Sequence, residues 1–307
     1  MANATVAVGT YAGEAARPYV AAAVLSADTI ANGYVSTIEN VHSKAVLRKF
    51  SGAAITAATC EFTGQGSLTL GEAVLEATAL QVNEQVCNKD LRATWEGMQM
   101  RGQSSNAPAD FTSFAAQYVA AKVAEGIELN LWQGNFDADA TGGAEYTSFD
   151  GICQKLKAGY NAGTMQQLSG ATDASNILAR LAGLTAEAPT AIAGDPEAKI
   201  FMSRGSAQLY YQALAATYQL PFLNDGLVAR YAGYDIITPG GMPNDAFILA
   251  KADNLYFGTD LLTDHIQASV LDLTGVTGDD VTRIIMKFSG GTQVVDLASA
   301  GFAYRTA

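Results

Sequence analysis

The stretch Asp110–Gly134, DFTSFAAQYVAAKVAEGIELNLWQG, constrains this chain more than any other. Phe111, Phe114, Tyr118, Val119, Val123, Ile127 and Leu131 recur at steps of three and four, the period of a helix. Asp110 stands where an N-cap would accept hydrogen bonds from first-turn amides. Gly134 and Asn135 end the pattern with residues that tolerate a left-handed backbone. Thr112, Ser113, Gln117, Lys122, Glu125 and Glu128 fall mostly between the apolar rows. At 1.5 Å per residue the helix would be roughly 30–35 Å long, the width of a small domain. Gly126 near its middle costs about 1 kcal/mol relative to Ala, so the helix depends on tertiary packing. A chain built on such a spine needs layers on which the helix can lie.

The layers are supplied by strands and by a mixed region. Val35–Ile38 and Ala45–Phe50 read as short extended pieces, and Ala15–Leu25 as a short helix. Ile55–Phe62 and Ser67–Leu70 flank the turn signal Gly64-Gln65-Gly66, and Leu75–Cys87 alternates polar and apolar residues without Gly or Pro. A two-stranded ribbon with so little apolar area is marginal alone and must lie on another surface or project. Residues 150–250 read as an α/β lobe. Its helices are Ala174–Leu184 and Ser206–Tyr218, and its strands Lys199–Ser203, Tyr231–Thr238 and Ala246–Ala250. The tail adds strands at Asn254–Thr259, Ile266–Leu273, Thr282–Phe288 and Gln293–Leu297, with Ser289-Gly290-Gly291 as a turn.

Composition limits the chemistry. The 307 residues are 49 % hydrophobic and only 16 % charged, so much of the surface is expected to be covered by other chains. The net charge of −12 argues against binding DNA over the whole surface. The excess is uneven, because residues 1–50 are about neutral. No apolar run reaches the length of a membrane span, and the first residues lack a signal peptide's basic and apolar regions, which predicts folding in a cytoplasm. Three cysteines, Cys60, Cys87 and Cys153, fit reduced thiols. Two histidines, His42 and His265, leave little room for zinc sites or a histidine-based triad.

Candidate sites reduce to ordinary readings. Asp137, Asp139 and Thr141-Gly142 imitate the start of a calcium loop, but Ser148 stands where the bidentate Glu belongs, so the loop reads as solvated. His265 follows Asp260 and Asp264 and reads as a turn histidine, with a carboxylate-based α/β enzyme as the alternative. Tyr210-Tyr211 reads as packing, and Cys153 as a small buried apolar residue. Neither a phosphate loop nor a nucleophile elbow is present. No cofactor and no catalytic residue is expected. Assembly is the leading class.

The order of parts resembles the major capsid protein of tailed double-stranded DNA phages, an α+β chain of the Hong Kong 97 type. The resemblance is carried by AGEAARPYVAAAVLSADTIANGYVSTIENV, by the spine ending in WQG, and by DNLYFGTDLLTDHIQASVLDLTG followed by VTRIIMKFSGGTQV. It implies an N-terminal arm (1–50), an extended loop ribbon (51–89) and an axial domain (151–250). The peripheral domain would be 90–150 with 251–307, holding the spine helix at 111–132. It further implies a virion shell of hexamers and pentamers, assembled in the host cytoplasm around DNA that is enclosed but not read. A separate scaffolding protein, a portal and a decoration protein would be its partners. An encapsulin-like compartment shares the fold and is the nearest alternative. Without a lysine between Lys49 and Lys89, the Lys–Asn cross-link of some members is not expected.

Six residues are expected to carry structure. Phe114, Tyr118 and Val123 should pack the spine against a sheet, and Trp132 should close it. Cys60 and Cys87 would face each other if the ribbon turned near residues 73–74, whereas the Gly64–Gly66 turn would spoil that register. Two reduced thiols packed close together are the expectation.

Overall fold

The computed structural model describes residues 8–12, 27–51, 69–87, 111–136, 146–160, 166–218, 230–260, 267–273, 278–279 and 281–305. In chain order the elements are β1 (Val8–Ala12), α1 (Asp28–Ala31), β2 (Ser36–Ile38), β3 (Lys44–Ser51), β4 (Thr69–Glu76), β5 (Thr78–Cys87) and α2 (Phe111–Gln133). Next come α3 (Ile152–Gly159), β6 (Gln166–Leu168), α4 (Ile177–Ala186), β7 (Lys199–Met202), α5 (Arg204–Tyr218), β8 (Arg230–Tyr231), β9 (Tyr234–Ile237) and β10 (Ala246–Ala250). The last are β11 (Leu255–Thr259), β12 (Gln267–Asp272), β13 (Val281–Val294) and β14 (Ala300–Arg305). The mixture of sheets and helices is the α+β class expected from the sequence.

The first sheet is built around β13. β5 pairs with it along one flank, while β12 and β11 follow one another along the other. β1 then extends the sheet beyond β12, and β2 beyond β11. The alternating burial of β13 explains the arrangement: Ile284, Met286 and Phe288 enter the core while Arg283 and Lys287 stay exposed.

The second sheet has the order β6-β14-β10-β7-β9-β8. Its inner strands β7 and β10 are apolar runs because both faces are covered. In β10, Ala246, Ile248 and Ala250 join the core shared with α2, α3 and the first sheet. Phe247 and Leu249 point the other way, to Leu181 and Leu184 of α4 and Ala207 and Tyr210 of α5. β8 and β9 turn on Ala232 (φ 50°) and Gly233 (φ 93°), two consecutive left-handed residues, as a type I′ hairpin needs.

Several expectations change here. Ser289-Gly290-Gly291 is not a turn, since β13 runs through it as one 14-residue strand. The reason is crowding: a Cβ on Gly291 would lie 2.0 Å from the Glu76 carbonyl oxygen, so glycine lets β4 cross over β13. The alternating run Leu75–Cys87 divides at Ala77. Its first part belongs to a hairpin of β3 and β4, with Lys44 opposite Glu76 and Ser51 opposite Thr69, and its second part to the first sheet. The ribbon's described strands are therefore 44–51 and 69–76, so its first strand lies almost wholly before the expected range of 51–89 and its second within it. Residues 73–74 lie inside β4, so no turn sits there to bring Cys60 and Cys87 together. β14, which the sequence reading missed, returns the last residues to the second sheet, so 251–307 does not stay with one sheet. The expected helix at Ala15–Leu25 and the strand at Ile55–Phe62 lie outside the described residues.

Candidate assembly surfaces

The spine helix fixes the site from its C-terminal half. Val123, Ile127 and Leu131 are buried in the core that contains Phe288, Met286 and Phe257 of the first sheet. Trp132 is fully buried and meets the Phe201 ring at 5.3 Å between centroids. Phe114 and Tyr118 lie in the helix, but their side chains fall outside the described residues, as does Asp110. Asn135 takes the left-handed conformation (φ 53°) that ends the helix. Gly134 and Gly151 let α2 and α3 meet backbone to backbone, for Gly151 N–H donates to Gly134 O at 2.7 Å.

Glu128 departs from the sequence reading. The spacing places it among the polar residues, yet it is 6 % exposed. Its carboxylate accepts from Thr29 N at 3.0 Å and Thr29 Oγ1 at 2.5 Å, and Thr29 Oγ1 in turn accepts from Trp132 Nε1 at 2.8 Å. Thr29 is fully buried, with Ala27 and Ile30 in the core beside it. Three buried polar side chains thus clip α1, the root of the N-terminal segment, onto the spine. Removing any one would leave buried polar atoms unsatisfied, at about 1–3 kcal/mol each. Nothing in the local sequence pairs Thr29 with Glu128, because the contact is tertiary.

The ribbon has two unlike faces. Opposed residues of β3 and β4 share a face. One face carries Lys44 with Glu76 (2.6 Å), Val46 with Val74, and Arg48 with Glu72 (3.5 Å). Val46 and Val74 are 51 % and 40 % exposed, and Leu70, on the same face, is 47 % exposed. The opposite face is held to the body. Leu75 there is fully buried against Gly258, where a Cβ would meet its side chain at 2.2 Å. Ala77 N donates to Ser43 O at 2.8 Å at the ribbon's root, and Lys49, farther along opposite Gly71, pairs with Asp296. The body therefore holds one face and leaves valines on the other.

Two cavities flank β5. One, of about 480 Å³, lies between α2 and β5 and is lined by Leu80, Val82, Val123, Ile127, Phe149 and Phe288. The other, of about 570 Å³, holds His42, Asp260, Lys287 and Ser289. His42 Nδ1 stands 3.4 Å from Asp260 Oδ2, so Asp260 meets a histidine more than two hundred residues away in sequence. Asp264 and His265 lie outside the described residues, as do Asp137, Asp139, Thr141 and Gly142. Ser148 donates its N–H to Asn130 Oδ1 at 3.3 Å. Among the described residues no cluster of His, Cys, Asp and Glu could hold a metal, and no helix is long and apolar enough to cross a membrane.

The remaining predicted residues are placed as follows. Tyr210 is buried, donates its hydroxyl to Arg230 O at 2.8 Å and packs edge-on against Tyr231. Cys153 is fully buried, and burial pushes its thiol up, away from the reactive thiolate. Cys87 is an exposed free thiol opposite Val281 of β13, and Cys60 lies outside the described residues.

A long helix under a β13-centred sheet, a projecting hairpin before it and a two-face-covered α/β lobe after it form one recognisable arrangement. A chain of the satellite phage P4 procapsid matches it with a TM-score of 0.61 at 14 % identity, over 95 % of this chain and 90 % of that one. The fold is that of a phage capsid subunit. A chain from the capsid of the empty GTA particle superposes with a TM-score of 0.55 at 12 % identity, covering 93 % and 90 % of the two chains. The mature capsid of bacteriophage PhiM1 gives 0.52 at 11 %, covering 89 % and 86 %. No protein-family model and no curated protein matches the sequence. The Hong Kong 97-type architecture expected from the sequence is thus present at sequence identities that carry the fold alone.

Proposed function

We propose that this chain is a major capsid protein that assembles with copies of itself into the shell of a tailed-phage virion. The observation that carries the reading is the ribbon: a hairpin held to the body by one face presents Val46, Leu70 and Val74 on the other. Exposed apolar side chains grouped on one face mark a surface that another chain covers. The capsid fold of the chain, shared with phage and GTA particles, supports a shell around packaged DNA over a cellular compartment.

The parts take their roles accordingly. The second sheet with α4 and α5 is the axial lobe, where copies meet around hexamer and pentamer axes. α2 with the first sheet is the peripheral domain, and the hairpin of β3 and β4 is the extended loop that reaches an adjacent copy. Phe114, Tyr118, Val123 and Trp132 hold the spine, and Cys60 and Cys87 stay reduced. The role is structural, with no enzymatic step. Assembly takes place in the host cytoplasm with a separate scaffolding protein and a portal, and a decoration protein is a further partner. The acidic chain encloses DNA without gripping it, since like charge repels phosphate. Electron microscopy of the purified protein tests the reading. Closed shells or capsomers are expected, and a uniform small particle at all concentrations would overturn it.

A further inference from the structure

We propose that Lys49 and Asp296 form a latch that aims the ribbon: the hairpin of β3 and β4 pivots on Leu75, and this ion pair holds its outer part against its own body. The inference rests on the reading of the ribbon as a surface that a second copy covers, and it names what sets the direction of that surface. The other charged residues of the two strands pair with each other, Lys44 with Glu76 and Arg48 with Glu72. Lys49 is, among the described residues of these strands, the one whose partner lies in the body. Leu75 stands opposite Ala45, four residues before Lys49 and on the same face. The latch therefore lies about 13 Å farther along the ribbon than the apolar anchor. Around it is a cleft of about 340 Å³, with Arg48 and Lys49 on the ribbon side and Ile192, Lys251, Tyr256 and Asp296 on the body side. At this point the ion pair, rather than close packing, holds the ribbon.

The body holds Asp296 ready for a cation. Asn254 is buried, and its Nδ2 donates to Asp296 O at 2.7 Å and to Ser299 O at 3.1 Å. Its Oδ1 accepts from Asp296 N at 2.7 Å, so one side chain fixes the backbone on which the carboxylate stands. Tyr160 braces the same turn by donating its hydroxyl to Leu297 O at 2.8 Å. The carboxylate itself accepts from Ala298 N at 3.0 Å and from Ser299 Oγ. Burial would raise its pKa, but Lys49, Ser299 and the Ala298 N–H together hold it below the ordinary value. A rigid, ionised acceptor thus faces the one ribbon cation that reaches the body.

The two attachments are unlike in kind. Leu75 is fully buried and apolar, so it stays seated whatever the charges do. The latch is lost when either charge is removed. A two-stranded hairpin is marginal without a surface to lie on, so with the latch open the ribbon beyond Leu75 samples many directions. With it closed, Val46, Leu70 and Val74 point one way before any neighbour arrives. The ordering that contact with a second copy requires is then already present in the subunit. The Lys49 and Asp296 side chains are 36 % and 15 % exposed, so salt screens this pair less than one on open surface.

The test measures where the ribbon points in the unassembled chain. Cys60→Ser and Cys87→Ser remove the other thiols, and Cys153 is fully buried. Spin labels on Leu70→Cys, on the ribbon's outer face, and on Glu197→Cys, an exposed position just before β7, report the distance from ribbon to body. The labelled chain should show one narrow distance. Lys49→Met keeps the apolar stem and removes the charge, and the narrow distance should give way to a broad spread. Lys49→Arg should keep it narrow, as should Lys44→Met, which breaks only a pair within the ribbon. Light scattering should show Lys49→Met assembling more slowly than the parent. A distance that stays narrow in Lys49→Met would overturn the latch while leaving the shell reading intact. A broadened ribbon that assembles at the parent's rate would overturn its role in aiming the surface. A parent chain with a narrow distance that forms no particles would instead overturn the shell reading.

Discussion

At the scale of single residues, two glycines do different jobs that their identity alone hides. Gly126 sits in the spine with open space where a Cβ would go, so its only effect is backbone entropy. Gly126→Ala should stabilise the unassembled subunit by about 1 kcal/mol. Gly291→Ala should do the reverse, because the new methyl meets the Glu76 carbonyl oxygen at 2.0 Å. Overpacking of this kind costs about 1–3 kcal/mol. Urea unfolding of both variants checks the pair, and equal signs would refute the crowding argument. Asp150 offers a pH-dependent case. The Asn135 amide donates to its carboxylate at 2.8 Å and Lys155 at 2.9 Å, and together they hold its pKa below the ordinary value against the opposing effect of burial. A lowered folded-state pKa contributes stability above about pH 4 that is lost as pH falls through the folded value. Asp150→Asn should therefore be less stable than the parent at about pH 6, with the gap closing towards about pH 3. A gap that stays constant with pH would show that the ionised carboxylate is not what matters.

At the scale of elements, what the sequence made legible was set by how local each signal is. The spine helix was read nearly residue for residue, because its period and its terminal Gly134-Asn135 are properties of the segment itself. The apolar runs of β7 and β10 were legible for the same reason. The ribbon was misjudged because an alternating strand shows that it pairs and not with what: Leu75–Cys87 changes partner at Ala77, where β4 gives way to β5. Gly290-Gly291 was taken for a turn because glycine signals both a bend and a close crossing, and only the position of Glu76 decides between them. The Thr29–Glu128–Trp132 clip joins segments about a hundred residues apart and had no local sign. The ribbon's role is testable at this scale too. Val46→Asp with Val74→Asp places charge on the exposed face, so the isolated subunit should keep its circular dichroism and its melting temperature. Assembly should be lost, since the charges would be buried without partners in the contact. Normal shells from the double variant would mean that this face is not covered by a neighbour.

At the scale of the whole molecule, the fold sets two kinds of surface against each other. The shared core fixes α2, the first sheet and the inner face of the second sheet as one body, so the parts that join copies must be those that leave it. Among the described residues the outer face of the β3–β4 hairpin is such a part, and its Lys44, Arg48 and Lys49 against Glu72 and Glu76 leave it near neutral, while the chain as a whole carries a net charge of −12. Bodies of like charge repel at long range, and near-neutral extensions are what bring them into contact. At about 0.01 M ionic strength the screening length is near 30 Å, comparable to a subunit, and at about 0.15 M it falls to about 8 Å. Body-to-body repulsion should then be screened while the apolar contacts of the ribbon, with its internally paired Lys44–Glu76 and Arg48–Glu72, are little affected. Light scattering should show assembly accelerating as salt rises across that range. A rate that falls with salt would mean that attraction between oppositely charged patches on adjacent copies drives assembly, and that the neutrality of the extensions is incidental.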